Sequence, residues 1–239
     1  MNKLLTMPLA LAVASVTVLA QAQAPGAAKT PAPARQQSAT APAAGAARTI
    51  EAKVAACIGC HGIKGYQASF PEVYKVPMIA GQGARYIASA LSEYKQGNRR
   101  HPTMRSVAAT LSEQDIAEIA AYFEGLGKDA ADSLPVAAGK EPSPQVAALL
   151  QKAACVSCHG ANFAKPIDPG YPKIAGQHAD YLFVALKSYK IDNNPSVGRT
   201  HGVMGAIARQ FSNAELKALA GYVGSLEGDL KTVPDRKLR

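Results

Sequence analysis

The pentad Cys57-Ile58-Gly59-Cys60-His61 returns as Cys155-Val156-Ser157-Cys158-His159, and the two copies use all four cysteines of the chain. Two thiols three positions apart, with a histidine directly behind the second, form the attachment pattern of c-type haem. The thiols bond to the two vinyl groups of one haem, and the short loop between them swings the next imidazole under the iron. Cys57, Cys60, Cys155 and Cys158 are therefore read as thioether anchors, and His61 and His159 as proximal iron ligands. The chemistry this implies is single-electron transfer through two covalent haem c groups. A zinc ribbon brings its second cysteine pair within about 20 residues of the first, whereas these pairs lie 98 positions apart. A thioredoxin-like dithiol needs a βαβ setting that the sequence lacks. Two structural disulfides would suit an oxidising compartment but leave a histidine after each pair unexplained.

The pentads belong to a longer internal repeat. Pro77-Met78-Ile79-Ala80-Gly81-Gln82 matches Pro172-Lys173-Ile174-Ala175-Gly176-Gln177. Tyr86, Leu91, Tyr94 and Lys95 match Tyr181, Leu186, Tyr189 and Lys190, and His101 and Met104 match His201 and Met204. The offset changes only where loops are expected, as insertions are tolerated there. Duplication narrows the choice of sixth ligand. Past the first 22 residues the chain has three methionines (Met78, Met104, Met204) and, outside the pentads, three histidines (His101, His178, His201). Met78 aligns with Lys173, and His178 with Gly83, so neither has a counterpart. Met104/Met204 and His101/His201 remain. A soft, uncharged thioether suits reduced iron and raises the potential, which favours the methionines. The two histidines are then loop residues near the haem edge. Gln82, Tyr86, Arg99, Gln177, Tyr181 and Arg199 are repeated polar groups that could bond haem propionates. Pro77 and Pro172 either set the loop over the proximal face or end it. Lys64, Lys75, Arg85, Arg100 and Arg105 are candidates for a docking patch.

These groups need helices to position them, and each half shows three. The first ends at the pentad; in the second half Ser143-Pro144 opens it, with Val146, Leu149, Leu150 and Ala153 on one face. The middle helix is expected over 84–96 and again over 179–191, with Tyr86, Ala90, Leu91 and Tyr94 forming a buried stripe. The last opens at Ser112-x-x-Asp115 and at Ser212-x-x-Glu215, both in capping-box spacing. No strand pattern is visible, so the fold class is all-α. The expected boundaries are a signal peptide at 1–22, a disordered Ala/Pro-rich linker at 23–48, a first domain at 49–128, an interdomain linker at 129–143 and a second domain at 144–239.

The leader reading rests on Lys3, the apolar run from Leu4 to Ala20, and the small-x-small site Ala20-Gln21-Ala22, which would leave Gln23 first. Pro8, Ser15 and Thr17 interrupt the run, making it a poor membrane span, and no cysteine follows closely enough to take a lipid. Export to the periplasm is expected, with an uncleaved anchor as the alternative. The Ala/Pro segment cannot bury enough apolar area to offset its ordering entropy. The chain carries 26 basic and 17 acidic residues, a formal +9. Four propionates would lower the charge after leader removal to about +4. Export excludes nucleic acid as a partner for this charge. Redox proteins with acidic docking faces, or an anionic membrane surface touched peripherally, fit it better.

With two C-x-x-C-H pentads, two P-x-I-A-G-Q segments and a methionine ahead of each final helix, residues 49–227 closely resemble the dihaem cytochrome c4 family. The resemblance implies two tandem class I cytochrome c domains related by a pseudo-twofold axis, His/Met ligation, and propionate edges meeting near the domain interface. It implies a non-enzymatic carrier without a small-molecule substrate, moving electrons from a quinol-oxidising cytochrome bc complex to a haem-copper terminal oxidase. Similar dihaem domains serve as electron-accepting subunits of periplasmic dehydrogenases, which is the alternative. A haem peroxidase would need a vacant axial site, and the repeated methionine argues against one.

Overall fold

In the first half, α1 (Ile50–His61) starts at Thr49, whose hydroxyl accepts the Ala52 amide, and carries the whole pentad in its last turns. Then come β1 (Gln67–Ala68), β2 (Tyr74–Lys75), α2 (Ala84–Gln96), β3 (Arg99–Arg100), α3 (Pro102–Ala109) and α4 (Glu113–Gly125). The second half holds α5 (Pro144–Ala153), α6 (Val156–His159), α7 (Ala179–Ser188), β4 (Gly198–Arg199), α8 (Gly202–Ala208) and α9 (Asn213–Gly224). This is a computed structural model that describes residues 48–126 and 140–233. The leader at 1–22, residues 23–47 of the Ala/Pro segment and residues 129–139 of the interdomain stretch lie outside the described residues. No helix among the described residues is long and apolar enough to cross a membrane.

The fold is helix-rich, with two tandem cytochrome c domains. The last helix of each half opens with a complete capping box, Ser112 with Asp115 and Ser212 with Glu215. Each satisfies two helix-end donors reciprocally. In the first half α4 packs on α1 and α2 around Val54, Ile87, Leu91, Ile116, Ile119 and Phe123. In the second, α9 packs on α7 and α5 around Leu149, Leu182, Leu216, Leu219 and Val223.

The structure differs from the sequence expectation in its helices, in one buried stripe and in its strands. Each half has a further short helix, α3 or α8, which holds the repeated methionine in its first turn; in the second half the first helix also breaks at the left-handed Ala154 into α5 and α6, and the middle one ends at Ser188, short of 191. The α2 stripe is rotated: Ile87 and Leu91 face the core, while Tyr86 and Tyr94 are only partly buried. The third difference is the two strand pairs, since a two-residue strand has no detectable alternation. One of these ladders matters for the halves: β3 of the first pairs antiparallel with β4 of the second, Arg99 opposite Arg199. Both halves lie in one compact unit, Ala47–Arg239. The chain beyond α9 also crosses over, and the Lys231 amide donates to the Ala80 carbonyl at 3.0 Å.

Candidate haem sites

α1 delivers His61 from its last turn, and a loop carries Pro77 to it. His61 Nδ1 lies 2.8 Å from the Pro77 carbonyl oxygen. The second half repeats the contact, with His159 Nδ1 at 3.0 Å from the Pro172 oxygen. A carbonyl can only accept, so Nδ1 carries the proton in both rings and Nε2 keeps its lone pair. Burial pushes both imidazoles below the ordinary histidine value, outweighing the opposite pull of the carbonyl bonds. A neutral ring with its tautomer fixed by a carbonyl is what a metal-ligating histidine requires. In the second half Gly160, just behind His159, takes φ +79°, and a Cβ there would sit 2.0 Å from the Lys165 oxygen.

The four cysteines are thiols in the structure, not disulfides, and each is partly buried. Burial pushes the Cys57 thiol up to about 11 and raises that of Cys155 as well. Addition of a thiol S–H across a haem vinyl group is the chemistry that makes the thioether. Among the described residues no three His, Cys, Asp or Glu side chains converge on a point that could hold a metal ion.

Met104 packs against the first core, and Met204 is partly buried at the equivalent place on α8. His101 and His201 cap these helices: the Met104 amide donates to His101 Nδ1 at 3.4 Å, and the Met204 amide to His201 Nδ1 at 3.2 Å. His101 Nε2 lies 3.1 Å from the Tyr74 hydroxyl. Both nitrogens of His101 are thus engaged within the protein, and Nδ1 caps the turn that carries Met104. A histidine N-cap was not legible from spacing, although its repetition three residues before each methionine was a usable signal.

The remaining repeated groups gather where the halves meet. Arg99 is buried and donates to Glu93 at 2.6 Å and to the Tyr86 hydroxyl at 3.3 Å. Its guanidinium lies over the Tyr86 and Tyr94 rings. Arg199 repeats the arrangement with Tyr181 and Tyr189, donating to the Tyr181 hydroxyl at 3.0 Å. Glu93 has no acidic counterpart, because Ser188 stands at its place and bonds the Val184 carbonyl. Two cations with one carboxylate between them leave room for anionic groups, and haem propionates have that chemistry. Tyr74, Glu93, Tyr94 and Tyr189 join this cluster without having been singled out as polar site residues.

Gln82 and Gln177 are placed differently. Both are buried, and each spans the interface to the backbone of the other half. Gln82 accepts from the Lys173 amide at 3.0 Å and donates to the Lys173 carbonyl at 2.9 Å. Gln177 accepts from the Met78 amide at 3.0 Å and donates to the Met78 carbonyl at 2.8 Å. Of the basic residues considered for an outer patch, three also reach the second half, Lys75 and Arg85 from side chains that stay largely exposed. Lys75 and Arg85 pair with Asp180 and Asp168, and Arg100 donates to the carbonyls of Val197, Ile191 and Asp192. Lys64 and Arg105 are exposed.

The chain is similar to known proteins over most of its length. The family model for cytochrome c matches residues 43–127 and again 145–227. Cytochrome c4 of Pseudomonas aeruginosa is 32% identical over 78% of this chain and 91% of its own. A thiosulfate dehydrogenase electron acceptor of Stutzerimonas stutzeri is 29% identical over 72% of this chain and 79% of its own. The solved structure of Acidithiobacillus ferrooxidans cytochrome c4 aligns with a TM-score of 0.53 at 26% identity, over 72% of this chain and 99% of that one.

Proposed function

The chain belongs to the dihaem cytochrome c4 family and has two covalent haem c groups, and from that premise we propose that it carries single electrons in the periplasm from a quinol-oxidising cytochrome bc complex to a haem-copper terminal oxidase. Each haem supplies an iron that alternates between ferrous and ferric states. The observation that carries the reading is the repeated imidazole–carbonyl bond, His61 to Pro77 at 2.8 Å and His159 to Pro172 at 3.0 Å. It holds each Nε2 ready as a proximal ligand. Met104 and Met204 are the second ligands in this reading, fixed by their histidine-capped turns. A histidine and a methionine on each iron would leave no position for peroxide or another substrate. The leader and the covalent attachment chemistry support export. The surplus of basic residues suits acidic redox partners.

The likeness to a thiosulfate dehydrogenase electron acceptor favours one second reading. In it, the chain accepts electrons from a periplasmic dehydrogenase, with the catalytic step on the partner. The two readings separate by reduction kinetics. The oxidised protein is mixed either with membranes containing a bc complex and quinol, or with thiosulfate and a purified thiosulfate dehydrogenase. The carrier reading expects fast, salt-sensitive reduction by the first donor, slow reduction by the second and no peroxide turnover. Preferential reduction by the dehydrogenase moves the assignment to the second reading. Rapid peroxide turnover overturns both.

A further inference from the structure

The interface glutamines and the proximal histidines meet on the same peptide units. The C=O of the Pro77–Met78 peptide accepts His61 Nδ1–H at 2.8 Å, and its N–H donates to Gln177 Oε1 at 3.0 Å. Across the interface the Pro172–Lys173 peptide accepts His159 Nδ1–H at 3.0 Å and donates to Gln82 Oε1 at 3.0 Å. Each chain of bonds therefore runs from a proximal imidazole in one half to a side chain in the other.

The glutamines are held firmly. Gln82 is 4% exposed and Gln177 3%. Each side-chain oxygen also accepts the following backbone amide, from Gly83 or His178, at 3.0 Å. Each side-chain nitrogen returns a bond to the carbonyl of the residue it holds, Lys173 or Met78.

We propose that Gln82 and Gln177 are positioning residues acting in trans: Gln177 of the second half tunes the haem held by His61, and Gln82 of the first half tunes the haem held by His159. The sign follows from polarisation. An acceptor on a peptide N–H increases the negative charge on the same peptide's oxygen, since hydrogen bonds in a chain strengthen one another. A more negative Pro77 oxygen draws harder on the His61 Nδ1 proton, which makes the imidazole a stronger donor at Nε2. Stronger donation favours ferric iron and lowers the potential. The halves are thereby coupled by bonds as well as by proximity, and each proximal ligand depends on correct docking of the other domain. The proposal rests on the His/Met reading given above.

The test uses the full chain with both haems attached. The two potentials are followed separately by proton NMR of the axial-methionine methyl groups during redox titration. Exchange of the histidine Nδ1 protons is measured in the reduced protein. Gln177→Ala is expected to raise the potential of the His61 haem and speed exchange of the His61 Nδ1 proton, leaving the His159 haem unchanged. Gln82→Ala is expected to give the mirror result. Gln177→Glu keeps an oxygen on the Met78 amide but turns a second oxygen onto the Met78 carbonyl in place of the donating nitrogen, so it is read at the alkaline end of the titration, where the ionised carboxylate should shift the His61 haem downward. If an alanine variant loses its docked structure, the glutamate variant decides, and no shift at the His61 haem overturns the proposal. Equal shifts at both haems, or a shift confined to the haem of the mutated half, also overturn it. Absence of the methionine methyl signals in wild type would instead refute the His/Met reading beneath it.

Discussion

Arg99 and Arg199 stand directly opposite each other in the ladder that joins the two halves, and only Arg99 has a carboxylate partner, Glu93, among the described residues. Like charges facing each other across strands are unfavourable. Here the cations are spread over four tyrosines, Tyr86 and Tyr94 beneath one and Tyr181 and Tyr189 beneath the other. Anionic propionates would complete the balance.

That asymmetry predicts opposite shifts from two substitutions. Glu93→Gln removes a negative charge from the first half and should raise the potential of its haem. Arg199→Leu removes a positive charge from the second and should lower the potential of its haem, with Arg199→Lys intermediate because it cannot span both rings in the same way. Spectroelectrochemical titration reads both. Unchanged potentials in both variants would place the cluster away from the haems.

Ligation can be separated from capping. Met104→Ala should remove about half of the far-red band of thioether-bound ferric haem, Met204→Ala should remove the other half, and each opens one haem to small ligands. His101→Ala should leave the band intact at low temperature. It should nevertheless cost about 1 kcal/mol, the usual loss for a helix N-cap, so the band vanishes at a lower temperature on heating. A His101→Ala protein that lacks half the band from the start contradicts the capping role.

Haem attachment is checked by mass. Cys57→Ala combined with Cys60→Ala should leave one haem, on the second half, and the same change at Cys155 and Cys158 should leave one on the first. Gly160→Ala should destabilise the second half alone by more than about 1 kcal/mol, because an alanine there meets the Lys165 oxygen at positive φ. Equal loss of both haems' native spectra on heating would show that the halves unfold as one.

Acid sensitivity should run through Asp115. Its carboxylate accepts from Lys53 and from the amide and hydroxyl of Ser112, which hold it well below the usual carboxylate range, Lys53 contributing most. A folded-state value below the unfolded one gives stability that is complete above about pH 4 and is lost progressively as pH falls. Asp115→Asn should therefore lower the melting temperature at pH 7, and the gap to wild type should narrow below about pH 4. A gap that stays constant from pH 7 to pH 3 argues for a packing effect instead.

What the sequence determined by itself is the chemistry that neighbours in the chain perform. Cys57, Cys60 and His61 act within one helical turn, as Cys158 and His159 do, so their spacing suffices to specify haem attachment. Ser112 with Asp115 and Ser212 with Glu215 start helices by contacts three residues long. The repeat of Met104 at Met204 was visible by alignment alone. The tertiary structure decided what joins residues distant in the chain. Gln82 and Gln177 sit in the same local motif, yet their partners lie 91 and 99 residues away, and only docking of the halves brings Lys173 and Met78 within reach. Arg99 and Arg199 likewise became opposites through a two-residue ladder too short to leave a pattern. Local spacing encodes covalent and capping geometry directly. Interface contacts depend on how two folded surfaces match, and no single stretch of either half contains that information.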